Sequence, residues 1–439
     1  MQAATNFPLP RRPDPRIVVS TMQQPKRIIV LGAGFGGLAA CKNLAKSGCE
    51  ITLIDRQNHH LFQPLLYQVA TAGLSAPEIA QPIRDILAKR KNIKIVMEEV
   101  ESIDLDKKEV RTTGQHLPYD FLIIALGAVT GYFGNDGWEK HAPGLKTLED
   151  ATRIRHRVLG AFEKAEICDD AEERKRLMTI VVVGGGPTGV EMAGACAELT
   201  RKVLRDNFRN IDTADTRILL VEATAGILGS FDWSLSDYAR EKLEQMGVDV
   251  RLGKPIEDLG ADFVQIDGER IPCENIVWGA GVQASPITRS LGTELGPGGR
   301  IPVQPDLSLA DRPEVFAIGD IVSLTDVAGV RVPGVAPAAM QMGKHAAKQI
   351  NIEIEHGSPS REPFTYWDKG SMATIGRSAA VAEAGGFKMR GFIAWLAWLF
   401  VHLLLLVGLR NRLAVFINWV YSYVNYKRGA RIITRLEND

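Results

Sequence analysis

Short runs of wholly apolar residues alternate along the chain with longer stretches rich in small residues, and the order of the two repeats. Arg27-Ile28-Ile29-Val30-Leu31 has the unbroken apolar character of a strand buried on both faces. It leads into Gly32-Ala33-Gly34-Phe35-Gly36-Gly37 and an alanine- and leucine-rich stretch that predicts a helix. The next strand, Ile51-Thr52-Leu53-Ile54, ends in Asp55. Near the middle of the chain the order returns. Ile180-Val181-Val182-Val183 precedes Gly184-Gly185-Gly186-Pro187-Thr188-Gly189 and a second small-residue helix, and Arg217-Ile218-Leu219-Leu220-Val221 ends in Glu222. Each copy later meets a buried strand closing on glycine, Phe121–Gly127 in the first and Ile276–Gly281 in the second. Between these landmarks lie alternating, hairpin-like stretches around 94–113 and 249–271.

The pattern predicts an α/β fold made of two Rossmann-like dinucleotide-binding domains, each with parallel strands and a small antiparallel insert. A further buried strand, Pro313-Glu314-Val315-Phe316-Ala317-Ile318, ends in Gly319-Asp320 and belongs with the first copy. The second domain (151–306) is therefore expected as an insertion in the first (22–150 and 307–375), followed by a C-terminal helical appendage (376–439). Residues 1–24 are polar and proline-rich, read as a disordered tail, with Met22 as an alternative start. Arg11-Arg12 lacks the apolar segment that a secretory signal requires.

A lone GxGxxG is a weak signal; here strand, helix and terminal acid stand in the right order around each. Gly32, Gly34 and Gly37, and again Gly184, Gly186 and Gly189, allow a tight turn that brings a pyrophosphate to the positive end of a helix. Asp55 and Glu222 are placed to accept hydrogen bonds from ribose hydroxyls. Glu222 follows Gly189 by 33 residues, so a loop near 208–216 must be inserted. Ala223-Thr224-Ala225-Gly226 after it offers no cation for a 2′-phosphate, which favours NADH over NADPH.

From 391 the pattern changes. Gly391 to Leu409 is apolar on all sides but for His402, and near the length that crosses a bilayer. The following segment is amphipathic: Leu413, Phe416, Ile417, Val420 and Val424 share one helical face, with Asn411, Arg412, Asn418, Ser422 and Asn425 largely elsewhere. Trp395, Trp398, Trp419, Tyr421, Tyr423 and Tyr426 with flanking Lys and Arg suit a lipid headgroup zone. Two helices lying in the membrane plane are the expected arrangement; a bilayer span and an apolar dimer interface remain as alternatives.

Composition narrows the chemistry. Formal net charge is zero, so nothing global points to nucleic acid, yet Arg410, Arg412, Lys427, Arg428, Arg431 and Arg435 form a basic stretch without an acidic residue. The five cysteines, Cys41, Cys49, Cys168, Cys196 and Cys273, have no C-x-x-C or C-x4-C spacing. That argues against a disulfide framework, dithiol chemistry and a metal cluster.

The two GxGxxG units, with Leu126-Gly127, Gly279-Ala280-Gly281 and Phe316-Ala317-Ile318-Gly319-Asp320, resemble the two-dinucleotide-domain flavoprotein reductases. The resemblance implies that the first unit binds the ADP half of FAD, that the second binds NAD(P)H, and that Asp320 contacts the ribityl-phosphate side of the flavin. Where disulfide reductases carry their cysteine pair, this chain reads Asn58-His59-His60-Leu61-Phe62-Gln63-Pro64-Leu65-Leu66-Tyr67-Gln68. That stretch, Ala336-Pro337-Ala338-Ala339-Met340-Gln341, Lys369-Gly370-Ser371-Met372-Ala373-Thr374-Ile375-Gly376 and the Trp-rich tail resemble the type II NADH:quinone oxidoreductases. Members of that family are single-subunit, FAD-containing, membrane-peripheral and non-pumping. The resemblance implies electron transfer from NADH through FAD to a membrane quinone, at the cytoplasmic face of a bacterial inner membrane or an equivalent surface, with a homodimer as one arrangement. It implies FAD contacts from Gly32, Gly34, Gly37, Asp55, Gly127, Asp320 and Gln341, and NADH contacts from Gly184, Gly186, Gly189, Glu222 and Gly281. Glu191, Gln341 and Lys369 are the candidate catalytic residues, with Glu191 on the first turn of its helix. Pro337 stands where the family's quinone motif has its first Gln. His59 and His60 read as helix or turn surface. Rival readings are a reductase of a soluble, ferredoxin-type acceptor and a membrane-tethered NADH sensor without turnover.

Overall fold

The computed structural model describes residues 24–46, 48–425 and 429–433. The tail read over 1–24 lies outside the described residues but for Gln24, as do Tyr426, Lys427, Arg428 and Arg435. The apolar runs form two sheets. The first has six strands in the order Ser308–Leu309, Arg312–Ala317, Phe121–Ile124, Arg27–Leu31, Glu50–Asp55 and Ile93–Met97. All pairings are parallel except the edge pair Ser308–Leu309 with Arg312–Ala317. The second has four parallel strands, Val248–Leu252, Arg217–Glu222, Thr179–Val183 and Asn275–Trp278. Three-stranded antiparallel inserts follow, Val100–Pro118 in the first domain and Ile256–Pro272 in the second.

The chain changes domain through a two-stranded ribbon in which Ala128–Thr130 pairs with Val282–Ala284. Tyr132 and Ala142 already pack with the second sheet, and Ala284, Leu291 and Ile301 are back in the first domain's core. Both exchanges thus fall earlier than the divisions at 150/151 and 306/307, because the ribbon is short and its strands carry little periodic signal. The loop that the long spacing to Glu222 requires is present after a π-turn, Leu199–Val203. It is tied down by Glu166, which accepts from the backbone N–H groups of Arg209 (2.9 Å) and Asn210 (3.0 Å).

The C-terminal unit begins with a sheet, Ser371–Thr374, Ala380–Ala384 and Phe387–Gly391. Thr374 pairs with Ala380, so the division at 375/376 runs through this sheet. Two helices follow, Phe392–Leu405 and Leu409–Asn425, and no helix among the described residues is long and apolar enough to cross a membrane. The bilayer-span alternative for 391–409 falls here. The helix stops because Leu406 turns extended and Gly408 adopts φ +88°, pressed on Gln81, where a Cβ would meet Oε1 at 2.7 Å. Arg412 then donates to the freed carbonyls of Leu404 (2.7 Å) and Leu406 (2.8 Å).

The second helix is docked by its polar side. Asn411 Nδ2 donates to Ala80 O (3.1 Å), Asn418 bonds Glu78, and the buried Trp419 donates to Gln68 Oε1 (2.9 Å). Leu413, Phe416, Ile417, Val420 and Val424 face outward, Ile417 62% exposed and Val424 72%. On the first helix Phe392, Ile393, Leu396, Phe400 and Leu404 are exposed, while Trp395 and Trp398 turn inward.

Candidate functional site

Each glycine loop makes a cradle of nearly identical backbone. Gly32 has φ +92° and donates to Ile54 O (2.7 Å); Gly184 has φ +102° and donates to Val221 O (2.8 Å). A Cβ on Gly37 would stand 1.8 Å from Gly32 O, and one on Gly189 at 1.8 Å from Gly184 O, so only glycine fits at either position. Gly34 and Gly186 cap the helices Phe35–Leu44 and Pro187–Glu198 without any capping side chain, and both face open space. Two helix N-termini are therefore left with free N–H groups and their positive dipole ends, the setting an anionic pyrophosphate requires.

The acids are held ready. Asp55 accepts from Ala33 N (2.6 Å) and Gln57 N (2.8 Å). Burial raises its carboxyl above the usual range, opposed by those two N–H groups. Glu222 accepts from Gly185 N (2.6 Å) and from Thr224 N and Oγ1 (2.8 Å each). Gly127 (φ +65°) and Gly281 (φ +66°) lie at either end of the interdomain ribbon, and a Cβ on Gly281 would meet Gly131 O at 2.5 Å. Asp320 sits on the turn Gly319–Ile321 after the strand Arg312–Ala317. Near it is Lys146, half-buried, whose ammonium burial pushes below the usual range against the pull of Asp320.

Glu191 lies where the second cradle's helix meets the C-terminal sheet and the outward-facing helices. It is the fifth residue of Pro187–Glu198, one turn deeper than the first turn expected of it, and only 9% exposed. The N-terminal dipole is not what sets its charge state there. Burial pushes its carboxyl up to about 8, and the N–H of Thr374 is its weak partner at 3.4 Å. Thr374 Oγ1 bonds Tyr67 OH (3.1 Å), Gln68 Nε2 donates to Tyr67 OH (3.0 Å), and Trp419 closes the series on Gln68. Tyr67, Gln68, Glu191 and Thr374 line one cleft with Trp395, Trp398 and Trp419.

Gln341 and Lys369 come together on Trp367 and do not line that cleft. Gln341, on the first turn and a half of Ala336–His356, has both amide atoms on Trp367: Nε2 donates to its carbonyl (2.9 Å) and Oε1 accepts from its N–H (3.0 Å). Lys369 is exposed, its ammonium 5.2 Å from the Trp367 ring centre. His60 is buried rather than on the surface, bonded to Ala33 O (2.9 Å) and edge-on to Phe35. Burial lowers it to about 4, so it stays neutral behind the first cradle.

A family model described as pyridine nucleotide-disulphide oxidoreductase matches residues 26–343, and one described as the NDH2 C-terminal domain matches 368–425. The type II NADH:quinone oxidoreductase Ndh of Mycobacterium tuberculosis is 42% identical over 430 residues, covering 94% of this chain and 92% of that protein. This chain belongs to the type II NADH:quinone oxidoreductases. A mitochondrial internal alternative NAD(P)H-ubiquinone oxidoreductase A1 of Arabidopsis thaliana is 32% identical, covering 92% of this chain and 86% of that protein. The fold matches NDH2 from Plasmodium falciparum in complex with NADH, with TM-score 0.85 at 21% identity over 93% of this chain and all of that one. It also matches the sulfide:quinone oxidoreductase of Aquifex aeolicus, with TM-score 0.71 at 19% identity over 88% of this chain and 92% of that one.

For a type II oxidoreductase, FAD is the resident cofactor and NADH the electron donor, and the two open, glycine-lined cradles fit two dinucleotides. No disulfide joins cysteines among the described residues, and none of the five cysteines lines the Glu191 cleft. Lys146, Tyr67 and Gln68 carried no role in the sequence, and Trp398, expected at a lipid headgroup zone, is buried in the wall of the cleft. Tyr67 and Gln68 lay inside a quoted motif, but their partners are more than 300 residues away in sequence. Lys146 had one local signal, the capping box Thr147–Asp150 directly after it.

Proposed function

We propose that the chain oxidises NADH and reduces a quinone at a membrane surface, with the buried Glu191 holding the proton that quinol formation consumes. The balance is NADH plus quinone plus one proton, giving NAD⁺ and quinol. Gly32, Gly34, Gly37 and Asp55 hold the ADP half of FAD, and Gly127, Asp320 and Gln341 border its flavin half. Gly184, Gly186, Gly189, Glu222 and Gly281 receive NADH. When bound, FAD supplies the two-electron chemistry that joins hydride donor to quinone.

The observation that carries this reading is Glu191. A carboxyl pushed up to about 8 is protonated at neutral pH and can give a proton to a reacting oxygen. It stands between the second cradle and a cleft walled by tryptophans, where a flat apolar ring fits better than a soluble protein acceptor. Lys369, on the loop leading into the strand that meets Glu191, adds a cation for negative charge gained by the quinone.

The outward apolar faces of both C-terminal helices support binding in the plane of a bilayer, at a depth where the exposed Arg410 reaches anionic headgroups. The family resemblance supports a non-pumping reaction on the cytoplasmic side of a bacterial inner membrane, and the same apolar face can also serve a homodimer. The test uses the full-length, FAD-loaded protein with NADH or NADPH, with and without a short-chain quinone. Turnover that depends on quinone and prefers NADH is the expected result. Equal turnover with a ferredoxin-type acceptor, or NADH binding without turnover, overturns the reading.

A further inference from the structure

We infer that Phe133 is part of the NADH site: its ring is the apolar wall along which the nicotinamide half lies between the second cradle and the flavin. The inference rests on the reading of the glycine loop 184–189 and Gly281 as that site.

The order of the second sheet gives the dinucleotide a direction. Thr179–Val183 carries the glycine loop, with Arg217–Glu222 on one side of it and Asn275–Trp278 on the other. The adenosine half goes toward Glu222, which stands ready for ribose hydroxyls. The nicotinamide half therefore leaves over the end of Asn275–Trp278, where Gly279, Ala280 and Gly281 follow. These form the cradle's other wall: Gly279 N donates to Val183 O (2.7 Å), and a Cβ on Gly184 would stand 2.7 Å from Ala280 N. From Gly281 the ribbon strand Val282–Ala284 runs alongside Ala128–Thr130, back to Gly127 and the first domain.

Phe133 lies against Gly281. A Cβ on Gly281 would meet Phe133 Cζ at 2.9 Å and Cε2 at 3.2 Å, yet Phe133 is 76% exposed. The ring thus meets Gly281 through its far edge and leaves most of its surface open. Its backbone conformation is unfavourable. The turn 132–135 closes with Asn135 N donating to Tyr132 O (3.0 Å), and its two central residues, Phe133 and Gly134, have φ +53° and +93°. Glycine, asparagine or aspartate suits the first of these positions; a bulky aromatic is strained there. The neighbours hold the turn in place. Trp278 Nε1 donates to Gly131 O (3.1 Å), and Gly131 N donates to Gly281 O (3.3 Å). The buried Tyr132 donates to Ala142 O (2.8 Å), with its ring 5.2 Å from that of Trp278. A turn anchored in this way needs no aromatic at its tip, and an exposed ring offsets none of the strain by burial. A dinucleotide passing Gly281 brings a flat nicotinamide ring and its ribose to that open surface.

The test uses Phe133→Asn and Phe133→Tyr in the full-length, FAD-loaded enzyme. Asparagine suits the positive φ, so Phe133→Asn should fold and melt at or above wild type while lacking the ring. Calorimetry on the oxidised enzyme, where no turnover occurs, reads the binding of NAD⁺ and of AMP. NAD⁺ carries both halves of the dinucleotide, and AMP only the adenosine half. Phe133→Asn is expected to bind NAD⁺ about tenfold more weakly with AMP unchanged, and to raise the NADH KM by a similar factor. Phe133→Tyr keeps the ring and should bind NAD⁺ as wild type does. Wild-type NAD⁺ affinity in Phe133→Asn overturns the proposal. So does an equal loss for NAD⁺ and AMP, which would place the effect in the cradle as a whole, or a Phe133→Tyr as weak as Phe133→Asn. Gly189→Val separates this proposal from the reading beneath it. Wild-type NAD⁺ affinity in that variant overturns the NADH cradle itself, and the wall with it.

Discussion

Around the first cradle the chain closes a second time. Helix Ala336–His356 returns from far along the sequence and lies against Phe35–Leu44 so tightly that a Cβ on Gly343 would stand 2.3 Å from Gly36 O. Around the second cradle no such helix returns at the loop among the described residues. A Cβ on Gly185 would meet the side chains of Ile227 and Glu222 first, and the close approach of Pro187–Glu198 comes further along, where a Cβ on Gly194 would stand 2.9 Å from Gly376 N. The glycine geometry is the same in both, down to the 1.8 Å that excludes a Cβ. The difference lies in the second layer. A cradle backed by a second helix suits a cofactor retained through many turnovers, while one without that backing suits a substrate that enters and leaves. The packing of the second helix on Gly376 also puts Glu191 beside the C-terminal sheet, so the second cradle is the one connected to the helices with outward apolar faces.

The strongest way to break the comparison is to fill the two cradles in turn. Gly37→Val and Gly189→Val each force a side chain into a carbonyl, a strain of about 1–3 kcal/mol or more, ten- to a hundredfold in affinity. Gly37→Val should purify without flavin absorbance. Gly189→Val should keep its FAD and show an NADH KM about a hundredfold higher. Loss of FAD from both variants would mean that the cradles do not divide the labour.

Next comes Glu191→Gln, expected to cost about a hundredfold in the quinone half-reaction, within the range for a positioned proton donor. The wild-type rate should be level below about pH 7 and fall as pH rises through about 8, because the acid form is the active one; the variant should lose that fall. Stability follows the same titration. A carboxyl whose folded pKa is raised binds more protons folded than unfolded, so its contribution worsens from the ordinary 4.5 up to about 8 and is level above. Glu191→Gln should therefore melt higher than wild type at pH 9 and close to it at pH 4.

A smaller effect is expected at Glu222. Replacing it with Ala removes the acceptor for ribose hydroxyls and the repulsion of a 2′-phosphate, and should narrow the NADH:NADPH preference by about tenfold, read as a ratio of kcat/KM. The smallest effect on the cofactors is outside both cradles. Phe416→Ser with Ile417→Ser removes two outward apolar side chains, each worth about 1.5–3 kcal/mol on burial. Flotation with anionic vesicles should weaken strongly while FAD content stays at wild type.

The cradles were legible in sequence because their constraint is local: a positive φ and a missing Cβ admit glycine alone, so spacing records geometry. The inserted loop before Glu222 was legible for the same reason, as a count of residues that a βαβ unit does not need. What was not legible depends on contacts distant in sequence. The break after Leu405 hangs on Gly408 meeting Gln81, and composition alone left a bilayer span open for 391–409. Leu413, Phe416 and Ile417 were seen to share a face, but whether that face turned inward was decided by Asn411, Asn418 and Trp419 finding partners at Ala80, Glu78 and Gln68. Glu191 was singled out by resemblance; its burial, and with it its proton, comes from a sheet contributed by residues 371–391. His60 looked like surface because a polar residue in a short strand carries no mark of the backbone carbonyl it will meet.

The central claim is that one chain joins an NADH cradle to a quinone site through FAD. Anaerobic stopped-flow with the full-length, FAD-loaded protein tests it most directly: flavin absorbance is followed after mixing with NADH, then after a second mixing with a short-chain quinone. Bleaching with NADH and rapid recovery with quinone are expected, the recovery slowing as pH rises through about 8. Flavin that bleaches with NADH and stays bleached in the presence of quinone would contradict it.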